Sequence, residues 1–158
     1  MTKEENAKIV KEFLDGDEWK YDISKEDERI VFYGGIGGLN GPYSSVRFLL
    51  AVADDDVQSF VIYPASAKSK LAEMAEFFTR VNYTLRFGAF EMDYSDGEIR
   101  CHLAYPAKVI HGEDGKEFVG RLLGLPAKMV ERYSRGVAGI LLGFSPQEAF
   151  EKCDSIGK

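Results

Sequence analysis

Residues 86–106, RFGAFEMDYSDGEIRCHLAYP, read as two antiparallel strands joined at Asp96-Gly97. Asp-Gly is a favoured pair for a two-residue type I′ turn, because both central positions need φ > 0. With that turn, Ser95 faces Glu98, and Tyr94, Met92 and Phe90 face Ile99, Cys101 and Leu103. The alternate residues pair Asp93 with Arg100 and Glu91 with His102. Apolar side chains then meet on one face, while acids meet a base or an ionisable ring on the other. A slip of one residue would send every side chain to the wrong face. The expected core face carries Phe90, Met92, Tyr94, Ile99, Cys101 and Leu103. Both faces are accounted for by pairing, so the stretch reads as framework.

Upstream of this hairpin, Ala67, Leu71, Met74, Phe78 and Val81 recur at helical spacing, and Phe77 broadens the stripe. The spacing predicts a helix over 67–81, with Ser66 as N-cap and Asn82 at its end. Four strand-like runs precede it. Trp19, Tyr21 and Ile23 alternate with Lys20 and Asp22; residues 29–35 follow; 43–53 places Val46, Phe48, Leu50 and Val52 on one face; 57–63 stops at Pro64. Asp54-Asp55-Asp56 reads as a solvated hairpin tip, since the Gly and Glu of a calcium loop are missing. A first helix over 3–15 is marked by the pairs Ile9–Phe13 and Val10–Leu14.

Downstream, Phe118, Leu122, Leu125, Met129 and Tyr133 keep helical phase through Gly124 and Pro126. That predicts one kinked helix or two abutting ones. VAGILLG (137–143) is very apolar. Ser145-Pro146-Gln147-Glu148 is a capping box with proline at the first helical position, and starts a last helix through about Cys153. The pattern predicts an α+β fold: an antiparallel sheet of five or six strands packed by helices, in the order α-β-β-β-α-β-β-α(-α), one domain over 1–158.

Lys+Arg total 20 against Asp+Glu 26, a net charge of −6. This balance argues against nucleic acid or an anionic membrane as partner. The start, MTKEENAKIVKEF, has no apolar signal segment, and no run approaches the ~18 apolar residues of a membrane span. A cytoplasmic location is expected. Cys101 and Cys153 stand in no metal-ligand spacing. Cys101 is expected as a small buried hydrophobe and Cys153 as a solvent-facing thiol.

The search for chemistry yields little. His102 and His111 sit in no zinc spacing, and no G-x-S-x-G is present. Residues 34–41, GGIGGLNG, look at first like a phosphate loop. The spacing fails, however, because Asn40 stands where the third glycine belongs and a strand-like run follows instead of a helix. A β–β connection is expected; a small-molecule or nucleotide site at 34–41 is the alternative. Arg86, Phe87 and Arg100 come nearest to an RNA-binding surface, but Glu91 and Asp93 lie beside them. No catalytic residue, metal or cofactor is expected, and the protein is not expected to be an enzyme. The C-terminal apolar supply exceeds one helix stripe, which marks Val137, Ile140, Leu141 and Phe144 for self-association in a symmetric dimer.

LAEMAEFFTRVNYTLRFGAFEMDYSDGEIR (71–100), with its R-x-N, F-G-x-F-E and D-G-E-I, resembles the centre of the YbjN-like family. MVERYSRGVAGILLGFSPQEAFE (129–151) resembles that family's C-terminal helices, and WKYDI and FVIYP fit as well. Ser134-Arg135-Gly136 departs from it, where members tend to carry an aromatic-proline break. The resemblance implies a fold similar to type III secretion chaperones, commonly dimeric, and a bacterial regulator of stress and motility responses that binds protein or peptide without enzymatic activity or cofactor. It adds no catalytic set. The motif residues Asn82, Phe87, Gly88, Phe90, Glu91, Asp96 and Gly97 are expected to be structural.

Overall fold

The computed structural model describes residues 1–154. The chain runs α1 (Lys3–Gly16), β1 (Asp22–Lys25), β2 (Ile30–Ile36), β3 (Val46–Val52), β4 (Asp56–Ser66), α2 (Leu71–Asn82), β5 (Ala89–Met92), β6 (Glu98–Pro106), α3 (Gly115–Leu141) and α4 (Pro146–Asp154). Short 3₁₀ helices at Lys68–Lys70 and Ala107–His111 lead into α2 and α3. All strand pairs are antiparallel, in the order β1-β2-β3-β4-β6-β5. The α+β class and its antiparallel sheet are as expected, with six strands and four of them ahead of α2.

Period-two alternation decides which side of the sheet the helices cover. Phe32, Phe48, Leu50, Val52, Val61, Phe90, Ile99 and Cys101 point to one face and are buried with residues from all four helices. Trp19 stacks edge-on to Phe48, and Tyr21 to Phe32, at 5.4 and 5.5 Å between ring centroids. The other face carries Val31, Leu49, Ala51, Phe60 and Ile62, a cluster with no helix residue in it among the described residues. Its own polar side chains roof it. The His102 ring stacks on Phe60 with centroids 4.5 Å apart, and the Arg100 guanidinium lies 4.2 Å from the same ring. Phe60 is thereby left only 8% exposed.

The hairpin keeps its faces but not its expected register. Phe90 faces Cys101, Glu91 faces Arg100 and Met92 faces Ile99, two residues away from the two-residue-turn alignment. The reason is Asp93. Its carboxylate accepts from Ser95 N–H at 2.8 Å, its carbonyl accepts from Gly97 N–H at 2.7 Å, and Asp93 therefore begins the turn instead of extending the strand. Gly97 has the positive φ that the reading required, +76°. An even shift preserves sidedness, so Ile99, Cys101 and Leu103 still point inward. Tyr94 leaves the ladder and is 63% exposed, not a core residue.

Three other local readings differ from expectation. Pro64 does not stop β4. The β4–β6 register shifts between Ile62 and Ser66, and the proline sits in that bulge, where no ladder N–H is required of it. Ser66 does not cap α2. Its hydroxyl donates to Asp96 O at 2.6 Å and accepts from Lys68 N–H, tying the hairpin tip to the entrance of α2. The aspartate run is no bare tip either, because Asp54 accepts from Lys3 N–H at 2.6 Å and Asp55 O from Ala107 N–H at 2.8 Å.

Asn82 closes part of the β5 edge. Its side-chain amide donates to Phe90 O at 2.9 Å and its carbonyl accepts from Phe90 N–H at 2.8 Å. One side chain thus imitates a neighbouring strand at the position where β5 would otherwise invite one. Asn82→Ala strips both partners from part-buried backbone groups, and a loss of about 2 kcal/mol is expected in urea unfolding. Asn82→Asp should cost as much, since a carboxylate accepts from Phe90 N–H yet faces its carbonyl with like charge. Unchanged stability in both variants would show that the bracket contributes nothing.

Candidate binding surface

The four residues marked for self-association do not share an outward patch. Val137 and Ile140 are fully buried in the protomer, and Leu141 is partly buried against the same core. The helix is apolar on two sides because α4 folds back over it and α2. Gly136 makes this possible, since a Cβ there would lie 2.6 Å from Phe77 Cε2 and 2.7 Å from Cys153 Sγ. Phe144 stays exposed, at 36%, with its ring folded back on the end of α3. Gly143, at φ +100°, donates to Ile140 O and Phe144 N–H donates to Gly139 O, so that the phenyl ring turns back onto Gly139. Lys152 Nζ then sits 3.7 Å from that ring. Leu142, 82% exposed, is the residue of this stretch that faces outward most.

Cys153 is the clearest misplacement. It is fully buried, not solvent-facing, because α4 turns it toward Gly136. Cys101 is buried as expected, and both thiols are free. Burial pushes the Cys101 thiol up from about 9.0 to about 12, with the Glu91 charge adding to it, and burial also raises Cys153. These folded values lie above the unfolded ones. The stabilisation is therefore complete below about pH 9 and is lost as pH rises toward 12, by roughly 1.4 kcal/mol per pH unit for Cys101. Alkaline urea titrations should show at least that slope, and Cys101→Ala should make it shallower without removing it, because burial raises Cys153 and Tyr63 as well. Native protein at pH 8 should leave a thiol reagent unconsumed until it unfolds; prompt reaction would contradict the burial.

Gly34, Gly35 and Ile36 of the glycine-rich segment still pair in β2 with β3, and the rest of it is the expected β2–β3 connection, packed on α3. Asn40 N–H donates to Glu131 Oε2 at 2.8 Å and Leu39 N–H to Ser44 O at 3.0 Å. Where an anion would sit on this loop, the chain supplies its own carboxylate. The histidines also have structural partners: His102 Nε2 lies 3.1 Å from Gln58 Oε1, and His111 Nε2 lies 2.6 Å from Asn6 Oδ1. Asn6, fully buried, donates in turn to Ala53 O and Asp54 O. Among the described residues no group of His, Cys, Asp and Glu is arranged to hold a metal ion.

Two depressions lie side by side along the middle of α3. The first, about 330 Å³, is walled by Leu85, Phe87, Leu125 and Met129, with Arg86 and Arg132 lining it too. The second, about 300 Å³, is lined by Asn40 and Gly41 of the glycine-rich connection and by Glu131, Arg132, Ser134 and Arg135. Arg132 belongs to both. Of the motif residues expected to be structural, Asn82, Gly88, Phe90, Glu91, Asp96 and Gly97 have internal contacts that explain them. Phe87 differs: it is 57% exposed and forms a wall of the first depression. Arg100 does not join Arg86 and Phe87, because its Nε donates to Glu91 Oε1 at 2.6 Å. Sequence reasoning missed Arg132, which meets Arg86 at the first depression only once α3 is packed beside the α2–β5 connection, and Arg135, which joins Arg132 at the second.

The geometry defines an α+β protein whose helices cover one sheet face, with two depressions along α3 to which apolar and basic side chains contribute. The profile of the YbjN family, described as "Putative bacterial sensory transduction regulator", matches residues 6–134, and the chain belongs to that family. No curated protein and no solved structure matches the chain. Among the described residues no helix is long and apolar enough to cross a membrane.

Proposed function

We propose that this protein is a non-enzymatic binding module of a bacterial regulatory system, acting in the cytoplasm by taking a protein or peptide partner non-covalently. The family description supports the regulatory half of this reading. The observation that carries the binding half is Phe87, a large aromatic in a motif whose other residues have contacts within the chain, left 57% exposed beside the first depression. An aromatic held at the surface by a rigid framework is the kind of anchor that partner recognition uses. The edge of β5 is a poorer candidate, because Asn82 occupies the outward N–H and carbonyl of Phe90. A nucleotide held by residues 34–41 is disfavoured by the carboxylate already seated on Asn40 N–H.

The test is affinity capture on the tagged chain from its native host under several growth conditions. Mass spectrometry would identify what is retained, and each purified candidate would then be titrated in a calorimeter. A saturable complex is expected with at least one of them. Recovery of nothing above a mock column, in every condition, would overturn the reading.

A further inference from the structure

We propose that the paired depressions along α3 form one groove for a short acidic segment of a partner protein, with a bulky apolar residue of that segment seated against Phe87, Leu125 and Met129. The proposal deepens the binding-module reading and rests on it.

The charge pattern is the first observation. Arg29, Arg47, Arg80, Arg100 and Arg121 each hold a carboxylate. Arg86, Arg132 and Arg135 hold none among the described residues, and these three line the two depressions. In a chain of net charge −6, acids are available throughout, yet among the described residues the arginines left without a carboxylate are the ones gathered at this groove. Among the described residues the only carboxylate lining either depression is Glu131, and Asn40 N–H engages it at 2.8 Å. Arg132 lies over the Tyr133 ring at 5.5 Å, and guanidinium forks without an internal carboxylate favour a carboxylate-bearing ligand.

Shape and chemistry then select among anionic ligands. The groove follows α3 from Leu125 to Arg135, a rise of about 15 Å, which matches four or five residues of extended peptide. One end is apolar and carries the exposed Phe87; the other carries Arg132 and Arg135. The three arginines and Phe87 are all exposed, so a free small anion here would stay largely hydrated. A peptide adds apolar burial to the ion pairs. A long polyanion such as RNA meets the repulsion of the acidic remainder of the chain.

The experiment uses the full chain and a fluorescein-labelled probe, Glu-Asp-Phe-Glu-Asp-Leu-Glu, read by anisotropy. Four comparisons accompany it: the same peptide with Ser in place of Phe and Leu, the peptide with Lys in place of every acid, oligouridylate RNA, and ATP. Wild type should bind the acidic apolar peptide saturably. Substitution of its apolar residues should weaken binding about tenfold, and the basic peptide should not bind. Arg86→Gln, Arg132→Gln and Arg135→Gln combined should weaken it about a hundredfold, as should Phe87→Ser added to Arg132→Gln. Among the described residues none of these side chains holds an ion pair, so thermal unfolding of the variants should match wild type, which separates lost binding from lost structure. Absence of saturable binding, retention within about threefold in the triple variant, or preference for RNA or ATP would each overturn the proposal. Repeating the host capture with the triple variant separates the two levels: a partner retained equally by wild type and variant refutes this groove while leaving the binding module standing.

Discussion

Gly97→Ala should lower the stability of this protein by about 3–5 kcal/mol and its Tm by roughly 10 °C or more. Two effects add. Gly97 has φ +76°, where a side chain costs about 1–2 kcal/mol. Its Cα also lies so close to the β4–α2 junction that a Cβ would overlap Lys68 N and stand 2.6 Å from Ser66 Oγ and 2.9 Å from Ala67 C. Two of those atoms are backbone and cannot rotate away. The junction cannot retreat either, because Ala67 N–H donates to Gly97 O at 2.8 Å and Ser66 Oγ to Asp96 O at 2.6 Å. Gly97→Asn separates the two terms. Asparagine tolerates the left-handed conformation but keeps the Cβ, so it should recover about 1 kcal/mol and no more. Asparagine as stable as glycine would mean that the close approach is unimportant.

Gly136→Ala is the second large effect. Alanine is worth about 1 kcal/mol more than glycine inside a helix, so an exposed site would be stabilised. Here the methyl would overlap the ring of Phe77 and approach Cys153 Sγ to 2.7 Å, and both neighbours are fully buried. Overpacking should outweigh propensity, for a net loss of about 2–3 kcal/mol and a fall in Tm of about 6–10 °C. Gly124, in the same helix, is the built-in contrast. It is exposed with nothing within 4 Å, so Gly124→Ala should raise stability by up to about 1 kcal/mol. If both variants moved in the same direction, the packing of α2 and α4 onto α3 at Gly136 would not be as tight as the geometry requires.

The parts of this fold that could be read in the sequence were those governed by a short period. Alternation fixed the faces of β3 and β6, and helical spacing found α2 and kept phase in α3 through Pro126, where the structure shows one helix, Gly115–Leu141, instead of two abutting ones. Competition between local bonds was harder to read. Asp96-Gly97 signalled a turn correctly, but the Asp93 side chain drew the turn two residues further back into the strand. Position near a chain end suggested an exposed Cys153, whereas the cover over Val137, Ile140 and Cys153 comes from contacts between α2, α3 and α4 that no local pattern encodes. The candidate groove was legible only in fragments. Arg86 and Phe87 were visible as a basic–aromatic pair, yet their natural associates proved to be Arg132 and Arg135, more than forty residues away, and not Arg100.

The strand order has a kinetic consequence. β1 to β4 pair with their sequence neighbours, so each contact closes a short loop. β6 instead pairs with β4 across α2 and β5, with Asp56 opposite Pro106. Because β6 lies between β4 and β5, the hairpin can assemble by itself and then dock as a unit on the outer edge of a finished meander. The entropic cost of that long closure falls on a single docking step, which makes the β4–β6 seam the natural barrier to folding. During synthesis the meander is complete while β6 is still inside the ribosome, and its β4 edge waits there, unpaired, for the second half of the sheet.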